Sequence, residues 1–337
     1  MGKITIRELA QMAGVSQTAV SFVLNNKPGV SGETRRRVLE IIEKTNYRAN
    51  RNSKRLAMNK SFNICLAYIS SSSPFDDLFY FDITKILLDK SADLGYNIVL
   101  TKLESEDGVM TMPDIIADRD ADGVILMQDV EPQVIHSIES LGLPCVVLDS
   151  YTNDQHICSV GMDARHSSYQ ALKYLMDRGH KKIGLIASSY ISEFWTQIYA
   201  GYTQALSEES LSINPGWVQY NAVDEESAYA CTEQILATGN LPTALFCAGD
   251  IYAVGAIRCI QDHGLRVPED ISILGCDNII LGKYITPALT TINPSKDEMS
   301  QYALDLLLRR IDGAAPEHIR LPSSLIIERD SVRDLRF

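Results

Sequence analysis

The sequence lacks the features of a membrane, disulfide-linked or metal-binding protein. No apolar run approaches the ~18 residues needed to cross a bilayer, and the first residues carry no apolar core of a secretory signal. The seven cysteines stand singly without a CxxC pair, and the six histidines form no cluster, so neither disulfides nor a metal site is expected. We expect buried thiols in a cytosolic chain, at Cys65, Cys145, Cys158, Cys231, Cys247, Cys259 and Cys276.

Catalytic signatures are also missing. There is no GxSxG, no P-loop and no HExxH, and the many acidic residues are spread along the chain as solvated surface residues usually are. The sequence therefore predicts a protein that is not an enzyme and that needs no cofactor.

Charge is distributed unevenly. Residues 1–60 hold 12 Lys and Arg against 4 Asp and Glu, whereas the remainder holds 19 against 39. A basic head on an acidic body is typical of a polyanion-binding module joined to a part that avoids polyanions. A basic, solvated tail is the alternative, but tails lack the apolar periodicity that this segment has.

The basic head is predicted to form three short helices. Thr5 and Glu8 form a capping-box pair before an apolar face, and Gly14 ends the first helix. Ser16 caps a second helix with polar Gln17, Thr18 and Ser21 facing away from its apolar stripe. Two such helices joined by a Gly-containing turn indicate a helix-turn-helix. A third helix follows Ser31, with Arg35, Arg36 and Arg37 able to cover phosphates, although a generic three-helix bundle has the same periodicity.

These residues carry a family resemblance. The stretch ITIRELAQMAGVSQTAVSFVLN, then VSGETRRRVLEIIEKTNYRANRNSKRLA, resembles the amino-terminal region of the lactose-repressor (LacI/GalR) family of bacterial transcription regulators. The resemblance implies base contacts from Gln17 and Thr18, and backbone contacts from Thr5, Ser16, Ser21 and Asn25. Phe22 departs from the family, since many members carry a guanine-reading Arg there; thymine-methyl contact or simple packing is expected instead.

A short segment after the third helix is predicted to act as a hinge. In the family it is a helix that orders on DNA, and the residue matching Leu56 wedges into a minor-groove step. Asn- and Ser-rich residues form a weak helix alone, and an apolar wedge kinks DNA at a cost of a few kcal/mol. The DNA-contacting set here is Asn50, Arg51, Ser53, Lys54, Leu56 and Ala57; an ordinary linker is the alternative.

The acidic body is predicted to be α/β. Apolar runs such as NICLAYIS, GVILM and ISILGCDN alternate with amphipathic segments, which indicates parallel sheets covered by helices. The alternation restarts near residue 162, so we expect two lobes with a ligand cleft beyond the strand ends. GHKKIGLIA, RVPEDISILGCDN and YITPALTTINPSKDEM resemble the family's effector-binding core, a type I periplasmic-binding-protein fold, so the resemblance covers nearly the whole chain.

The resemblance fixes domain boundaries and crossings. We expect a DNA-binding domain at 1–47, a hinge at 48–60 and a core at 61–337. Lobe 1 should comprise about 61–161 plus 291–322, and lobe 2 about 162–290 plus 323–337. The chain should cross between lobes near Val160–Asp163, Thr290–Pro294 and Leu321–Ser324.

Family positions also place the effector site at the strand ends. The expected contacts are Ser72, Phe75, Asp149, Phe194, Trp195, Ile198, Asp250 and Asp277. Asp277 is the first choice, with turn capping as its alternative; Asp250 could cap the helix beginning at Ile251, and the aromatic residues could be core. Ile198 stands where many members place a ligand-gripping Arg. A cleft without that guanidinium handles anions poorly, so a neutral sugar is the favoured effector.

The predicted function is a cytoplasmic bacterial repressor, located at the nucleoid when it is bound to DNA. A homodimer would bind a pseudo-palindromic operator, with a small-molecule effector modulating its affinity. The alternative is a regulator of the same family that is controlled by a protein co-regulator and not by a metabolite. A transporter's solute-binding protein is a remote alternative, disfavoured by the basic head and the missing export signal.

Overall fold

The chain divides into a small helical unit, residues 1–61, and a large α/β unit, residues 62–337. The computed structural model describes residues 4–24, 27–45, 55, 58, 60–69, 75, 77–106, 109–128, 130–149, 152, 154–188, 193–322 and 325–336.

The small unit contains three helices, α1 (Ile6–Ala13), α2 (Gln17–Leu24) and α3 (Gly32–Thr45). The predicted capping box is present, because Thr5 N–H donates to Glu8 Oε2 at 2.7 Å and Glu8 N–H donates to Thr5 Oγ1 at 3.3 Å. Gly14 ends α1 with φ +65°, a left-handed conformation that glycine adopts at no steric cost. One apolar core joins the helices, formed by Leu9, Ala10, Ala13, Val20, Val23 and Val38.

The large unit is built from thirteen strands and eight helices among its described residues. The strands are β1 (Asn63–Ile69), β2 (Asn97–Glu106), β3 (Val109–Thr111), β4 (Gly123–Met127), β5 (Cys145–Leu148), β6 (Ser159–Met162), β7 (Ile183–Ile186), β8 (Val218–Gln219), β9 (Ala244–Cys247), β10 (Ser272–Cys276), β11 (Thr290–Asn293), β12 (His318–Leu321) and β13 (Leu325–Ile327). The helices are α4 (Leu78–Asp93), α5 (Asp114–Ala117), α6 (Pro132–Ser140), α7 (Ala164–Asp177), α8 (Glu193–Glu208), α9 (Glu225–Ala237), α10 (Asp250–Asp262) and α11 (Lys296–Ile311). Short 3-10 turns lie at Pro215–Trp217 and Ile280–Lys283.

Two sheets define two lobes, as the fold-class prediction required. The first sheet has the order β12-β6-β5-β4-β1-β2-β3, and the second has the order β13-β11-β10-β9-β7-β8. Neighbouring strands are parallel except for the β2–β3 and β11–β13 pairs. The central strands are buried on both faces, which explains their continuous apolar runs.

The chain passes between the lobes three times. β6 belongs to the first sheet and β7 to the second, so the first crossing follows Met162. Strand β11 pairs with β10 in the second sheet, so the second crossing follows Asn293. The second part of lobe 1 therefore begins after Asn293 rather than at residue 291, because Thr290–Asn293 completes the sheet of lobe 2. The third crossing lies between β12 and β13.

Candidate DNA-binding and effector-binding sites

Helix α2 presents the predicted base-reading residues to solvent. Gln17 and Thr18 are exposed at its N-terminus, Ser21 is half-buried, and Val20 and Val23 face the core. Ser16 caps the helix, since its Oγ accepts from the N–H of Ala19 at 3.1 Å. Exposed amide and hydroxyl groups on the first turn of a second helix can reach base edges in a major groove.

Phe22 lies on the same helix but points to a neighbouring loop. A Cβ placed on Gly29 would lie 3.2 Å from Phe22 Cε2, so the ring covers the backbone of this glycine, whose φ is +110°. Of the two roles expected for Phe22, the structure favours packing.

Helix α3 carries three consecutive arginines with different contacts. Arg35 donates to the Lys27 carbonyl oxygen at 2.6 Å. Arg36 lies 4.0 Å from Glu40 and Arg37 lies 3.5 Å from Glu33, both as exposed i,i+4 pairs. Pairs of this kind contribute little free energy, so the guanidinium groups of Arg36 and Arg37 remain available to phosphate.

Several predicted contacts lie outside the described residues. They are Asn25, Asn50, Arg51, Ser53, Lys54, Leu56 and Ala57 of the DNA-binding set, and Ser72 of the effector set. Their roles stay predictions.

In the large unit, two of the predicted carboxylates follow the carboxyl ends of strands. Asp149 follows β5 with φ +60°, and its Oδ2 accepts from the Tyr80 hydroxyl at 2.7 Å. Asp277 follows β10 with φ +119°. Non-glycine residues with positive φ are strained and concentrate at functional sites, which agrees with the position of both residues beyond the strand ends.

A hydrogen bond at the N-terminus of α10 connects Asp250 to Asp277. The N–H of Asp250 donates to Asp277 Oδ2 at 3.4 Å, so Asp277 lies at the N-terminus of α10. Asp250 is the first residue of α10 and Gly249 is its N-cap, so the expectation that Asp250 caps this helix is wrong. The Asp250 carboxylate instead accepts from Thr291 Oγ1 at 2.6 Å and from the N–H of Ile279 at 2.9 Å.

Two predicted effector contacts, Asp250 and Ile198, have side chains enclosed within lobe 2, and their contact with a ligand stays a prediction. Asp250 is fully buried, and both of its oxygens are engaged by lobe 2. Ile198 is fully buried as well, since it shares the inward face of α8 with Tyr202 and Ala205. No guanidinium therefore occupies that position, and the isoleucine packs in the core.

The carboxylates of the two lobes influence one another electrostatically. Burial raises the pKa of Asp277 well above its usual value, and the charges of Asp250, Asp77 and Asp149 add to the effect. The pKa of Asp250 is raised by burial, against hydrogen bonds from Thr291 and Ile279. Since Asp77 and Asp149 belong to lobe 1 and Asp277 to lobe 2, acidic groups from both lobes converge on one region.

Aromatic side chains line lobe 2 near Asp277. Phe194 and Trp195 are half-buried, with ring centroids 4.5 Å apart, and Trp195 lies 6.2 Å from Tyr252. Burial raises the pKa of the Tyr252 phenol, and Asp277 and Asp77 raise it further. Phe75, from the lobe 1 segment before α4, is 59% exposed. Ring faces beside hydrogen-bond acceptors suit a ligand with one apolar face and several hydroxyl groups.

Lys296 bridges the lobes. Its Nζ lies 2.6 Å from Asp82 Oδ2 in lobe 1 and donates to the Asn278 carbonyl oxygen of lobe 2 at 3.4 Å. Ile279, which follows Asn278 in the chain, is buried in the apolar cluster of lobe 1. The loop after β10 is therefore held against both lobes.

Sequence reasoning missed Tyr80, Tyr252, Asn278 and Lys296. The neighbouring motif GCDN marked only Asp277, although Asn278 also has positive φ and its side chain bonds to Asn293 Oδ1 and Arg329. Tyr80 and Tyr252 lie in the first turn of a helix after a strand, where a ligand-facing position is expected in such folds. That placement could have identified both.

Within the described part of the chain, no helix is long and apolar enough to cross a membrane. The same residues contain no group of three or more His, Cys, Asp or Glu arranged to hold a metal ion.

Comparison with known proteins agrees with both units. Residues 5–50 match the model of bacterial regulatory proteins of the lacI family, and residues 172–332 match the periplasmic binding protein-like domain. The HTH-type transcriptional repressor PurR of Pasteurella multocida (strain Pm70) is 34% identical over 332 residues, which cover 96% of this chain and 98% of that protein. The probable HTH-type transcriptional repressor ExuR of Bacillus subtilis (strain 168) is 32% identical over 335 residues, 98% of this chain and 99% of that protein.

A solved structure, the lac repressor dimer bound to operator and the anti-inducer ONPF, matches with a TM-score of 0.80 and 26% identity. The match covers 98% of this chain and all of that chain. These relatives are regulators rather than enzymes, so the prediction that the chain is not an enzyme is confirmed. The chain belongs to the lacI family of bacterial regulatory proteins and is a DNA-binding transcriptional regulator.

Proposed function

We propose that the protein represses transcription as a homodimer on a pseudo-palindromic operator, and that a neutral sugar in the interlobe cleft changes its operator affinity. The observation that carries the proposal is a helix-turn-helix unit that exposes Gln17 and Thr18. It lies in a segment, residues 1–60, that holds 12 Lys and Arg against 4 Asp and Glu. Phosphate contacts supply affinity that falls with salt, and base contacts supply selectivity.

An exposed apolar surface supports self-association of the core. Phe81 and Leu88 on α4 are 43% and 47% exposed, and Ile280 and Tyr284 of lobe 2 are 47% and 78% exposed. Phe81 and Ile280 share a groove of about 340 Å³ with Leu78, Asp82, Lys85, Asn278 and Lys283. Exposed apolar side chains that share a groove, as Phe81 and Ile280 do, support an interface, and the related lac repressor is a dimer on operator DNA. Pairing of two cores would present two recognition helices to two half-sites.

The chemistry of the cleft supports a neutral, hydroxyl-rich ligand. Asp149 and Asp277 can accept hydrogen bonds from sugar hydroxyls, while the half-buried Phe194 and Trp195 offer rings to a pyranose. The carboxyl groups of Asp77, Asp149 and Asp250 raise the pKa of Asp277 by mutual repulsion, so this cluster offers an anion no favourable charge. The buried Ile198 supplies no positive charge to offset them.

The bridge at Lys296 supports coupling between ligand and DNA. A ligand that contacts both lobes stabilises the closed arrangement of the lobes relative to the open one. Lys296, Asn278 and Ile279 lie where the lobes meet. In the proposed mechanism, altered lobe closure changes the spacing of the two hinges and so orders or melts them. The sequence of hinge residues 48–60, with Leu56 as the wedge, is consistent with this role.

Thermal unfolding with a panel of neutral sugars, sugar acids and nucleobases tests the ligand class. A neutral sugar at 100 times its Kd is expected to stabilise the chain by about 2.7 kcal/mol. Asp277→Asn, which keeps the side-chain shape, should abolish the stabilisation. Asp262→Asn, at the exposed end of α10, is the matched control and should retain it.

Stabilisation by a sugar acid rather than a neutral sugar would overturn the ligand class. A sugar that still stabilises Asp277→Asn would place the site elsewhere. If no small molecule stabilises the chain while operator binding persists, the result favours the alternative in which a protein co-regulator controls the repressor.

A further inference from the structure

The recognition helix carries no charge at all. From Leu9 to Asn26 the sequence contains no Asp, Glu, Lys or Arg, although the head as a whole is strongly basic. Within the described part of that stretch, α2 offers exposed Gln17 and Thr18, with Ala19 and Ser21 half-buried beside them. The groups that can touch bases are therefore an amide, two hydroxyls and methyl groups.

These groups match some base edges and not others. In the major groove, guanine presents two acceptors that Arg or Lys reads, and cytosine presents an amino group that Asp or Glu reads. Adenine presents an acceptor beside a donor, which the amide of Gln or Asn matches with two hydrogen bonds. Thymine presents a methyl group that Ala or the Thr methyl contacts. Helix α2 holds the amide that reads adenine and the methyl groups that contact thymine, lacks the charged side chains that read guanine and cytosine, and adds hydroxyls that bond to either kind of base pair.

The contact at Phe22 strengthens this assignment. Its ring covers the Gly29 backbone, with Cε2 3.2 Å from where a Cβ of residue 29 would lie, so this side chain is occupied within the head. Nearby cations sit on α3 and its preceding loop, where Arg35 binds the Lys27 carbonyl oxygen and Arg36 and Arg37 face glutamates. Affinity and readout are thus carried by different helices.

Building on the proposed operator binding, we infer that α2 reads A·T base pairs in each half-site. Gln17 binds adenine through its amide, and the methyl groups of Thr18 and Ala19 contact thymine. The basic residues outside α2 bind phosphates and contribute affinity without base preference.

Selection of duplexes from a random pool by the full-length protein tests the inference. The selected half-sites should contain A·T pairs at the positions where Gln17→Ala relaxes the preference. Loss of one two-bond base contact should reduce discrimination at that position roughly 5- to 150-fold. Gln11→Ala, an exposed glutamine on α1, is the matched control and should leave the preference unchanged.

Two modified duplexes separate the contacts on the selected site. Replacement of adenine by 7-deazaadenine removes the N7 acceptor and should weaken binding of the unmodified protein but not of Gln17→Ala. Replacement of thymine by uracil removes only the methyl group, and each buried methyl should account for about fourfold in affinity.

Each outcome decides one question. G·C pairs at the Gln17-sensitive positions would overturn the inference, as would an unchanged preference in Gln17→Ala. A pool with no enriched sequence would instead refute the proposed operator binding, and the inference with it. Phe22→Arg adds a guanidinium to α2 and is expected to bring a guanine into the selected half-site.

Discussion

At the scale of single residues, two neighbouring aspartates perform different tasks. Asp250 is enclosed, and its oxygens hold Thr291 and the backbone of Ile279, so it fixes the loop that reaches lobe 1. Asp277 accepts one long hydrogen bond, from Asp250 N–H at 3.4 Å, and keeps partial access to solvent. Asp250 therefore positions the site, and Asp277 is the residue placed to meet a ligand.

The raised pKa of Asp250 predicts a pH dependence of stability. A carboxyl whose pKa is higher in the folded than in the unfolded chain stabilises the fold below its unfolded pKa, and this contribution is lost as pH rises through the folded pKa. Since the pKa of Asp250 is raised from 3.8 to about 7, we expect the free energy of unfolding of the core to decrease between about pH 4 and pH 7. Asp250→Asn should flatten the dependence, as measured by urea unfolding at each pH.

The control for this prediction is Asp262→Asn, at the opposite end of α10. This variant should keep the slope of the unmodified chain. Equal slopes in the unmodified chain and Asp250→Asn would show that Asp250 does not titrate with folding.

The sequence predicted some site residues and not others, for a physical reason. Asp149 and Asp277 directly follow apolar strands, and parallel strands bring their carboxyl ends to one edge, so their placement follows from the pattern. Ile198 and Asp250 lie on helices, where a shift of one residue turns a side chain by about 100° from solvent to core. Lys296 is brought to the site by a long-range contact with Asp82 that the local sequence does not encode.

At the scale of elements, the loop between α2 and α3 is held by an aromatic contact. Phe22 packs on Gly29, and Arg35 at the start of α3 binds the Lys27 carbonyl oxygen. The two contacts fix the end of the recognition helix relative to α3. Phe22, at a position where many family members carry an Arg, thereby stabilises the helical unit by packing.

Substitution of Gly29 should destabilise the head more than substitution of Gly14. Gly14→Ala places a Cβ in open space at φ +65° and should cost about 1 kcal/mol. Gly29→Ala combines φ +110° with a Cβ 3.2 Å from Phe22 and should cost about 2–3 kcal/mol. Hydrogen exchange of the α1–α3 amides in the full chain measures both changes.

The double variant Phe22→Ala with Gly29→Ala isolates the ring contact. If the ring resists a side chain at residue 29, Gly29→Ala should cost less in the Phe22→Ala background than alone. Equal costs in both backgrounds would contradict the packing role of Phe22.

Element boundaries were partly accessible from the sequence. The caps at Thr5 and Ser16 and the stop at Gly14 are local signals, and the structure contains each of them. The assignment of Thr290–Asn293 to lobe 2 was not accessible, because an apolar strand does not state which of two sheets it joins. Pairing with β10 decides it.

At the scale of the whole molecule, the charge of each unit matches its task. The basic head attracts DNA, and the acidic body adds no competing affinity for polyanions. Within the body, one apolar surface includes α4 of lobe 1 and the Ile280 turn of lobe 2, beside the Lys296 bridge. A change in lobe closure would therefore alter the surface proposed for dimerisation.

The most direct measurement is a footprint of the purified full-length protein on enriched genomic fragments, with and without the stabilising sugar. The account predicts protection of two inverted half-sites about one helical turn apart, centre to centre, at a protein concentration that the sugar changes. Equal affinity for genomic and random duplexes, with no protected pair of half-sites under either condition, would contradict it.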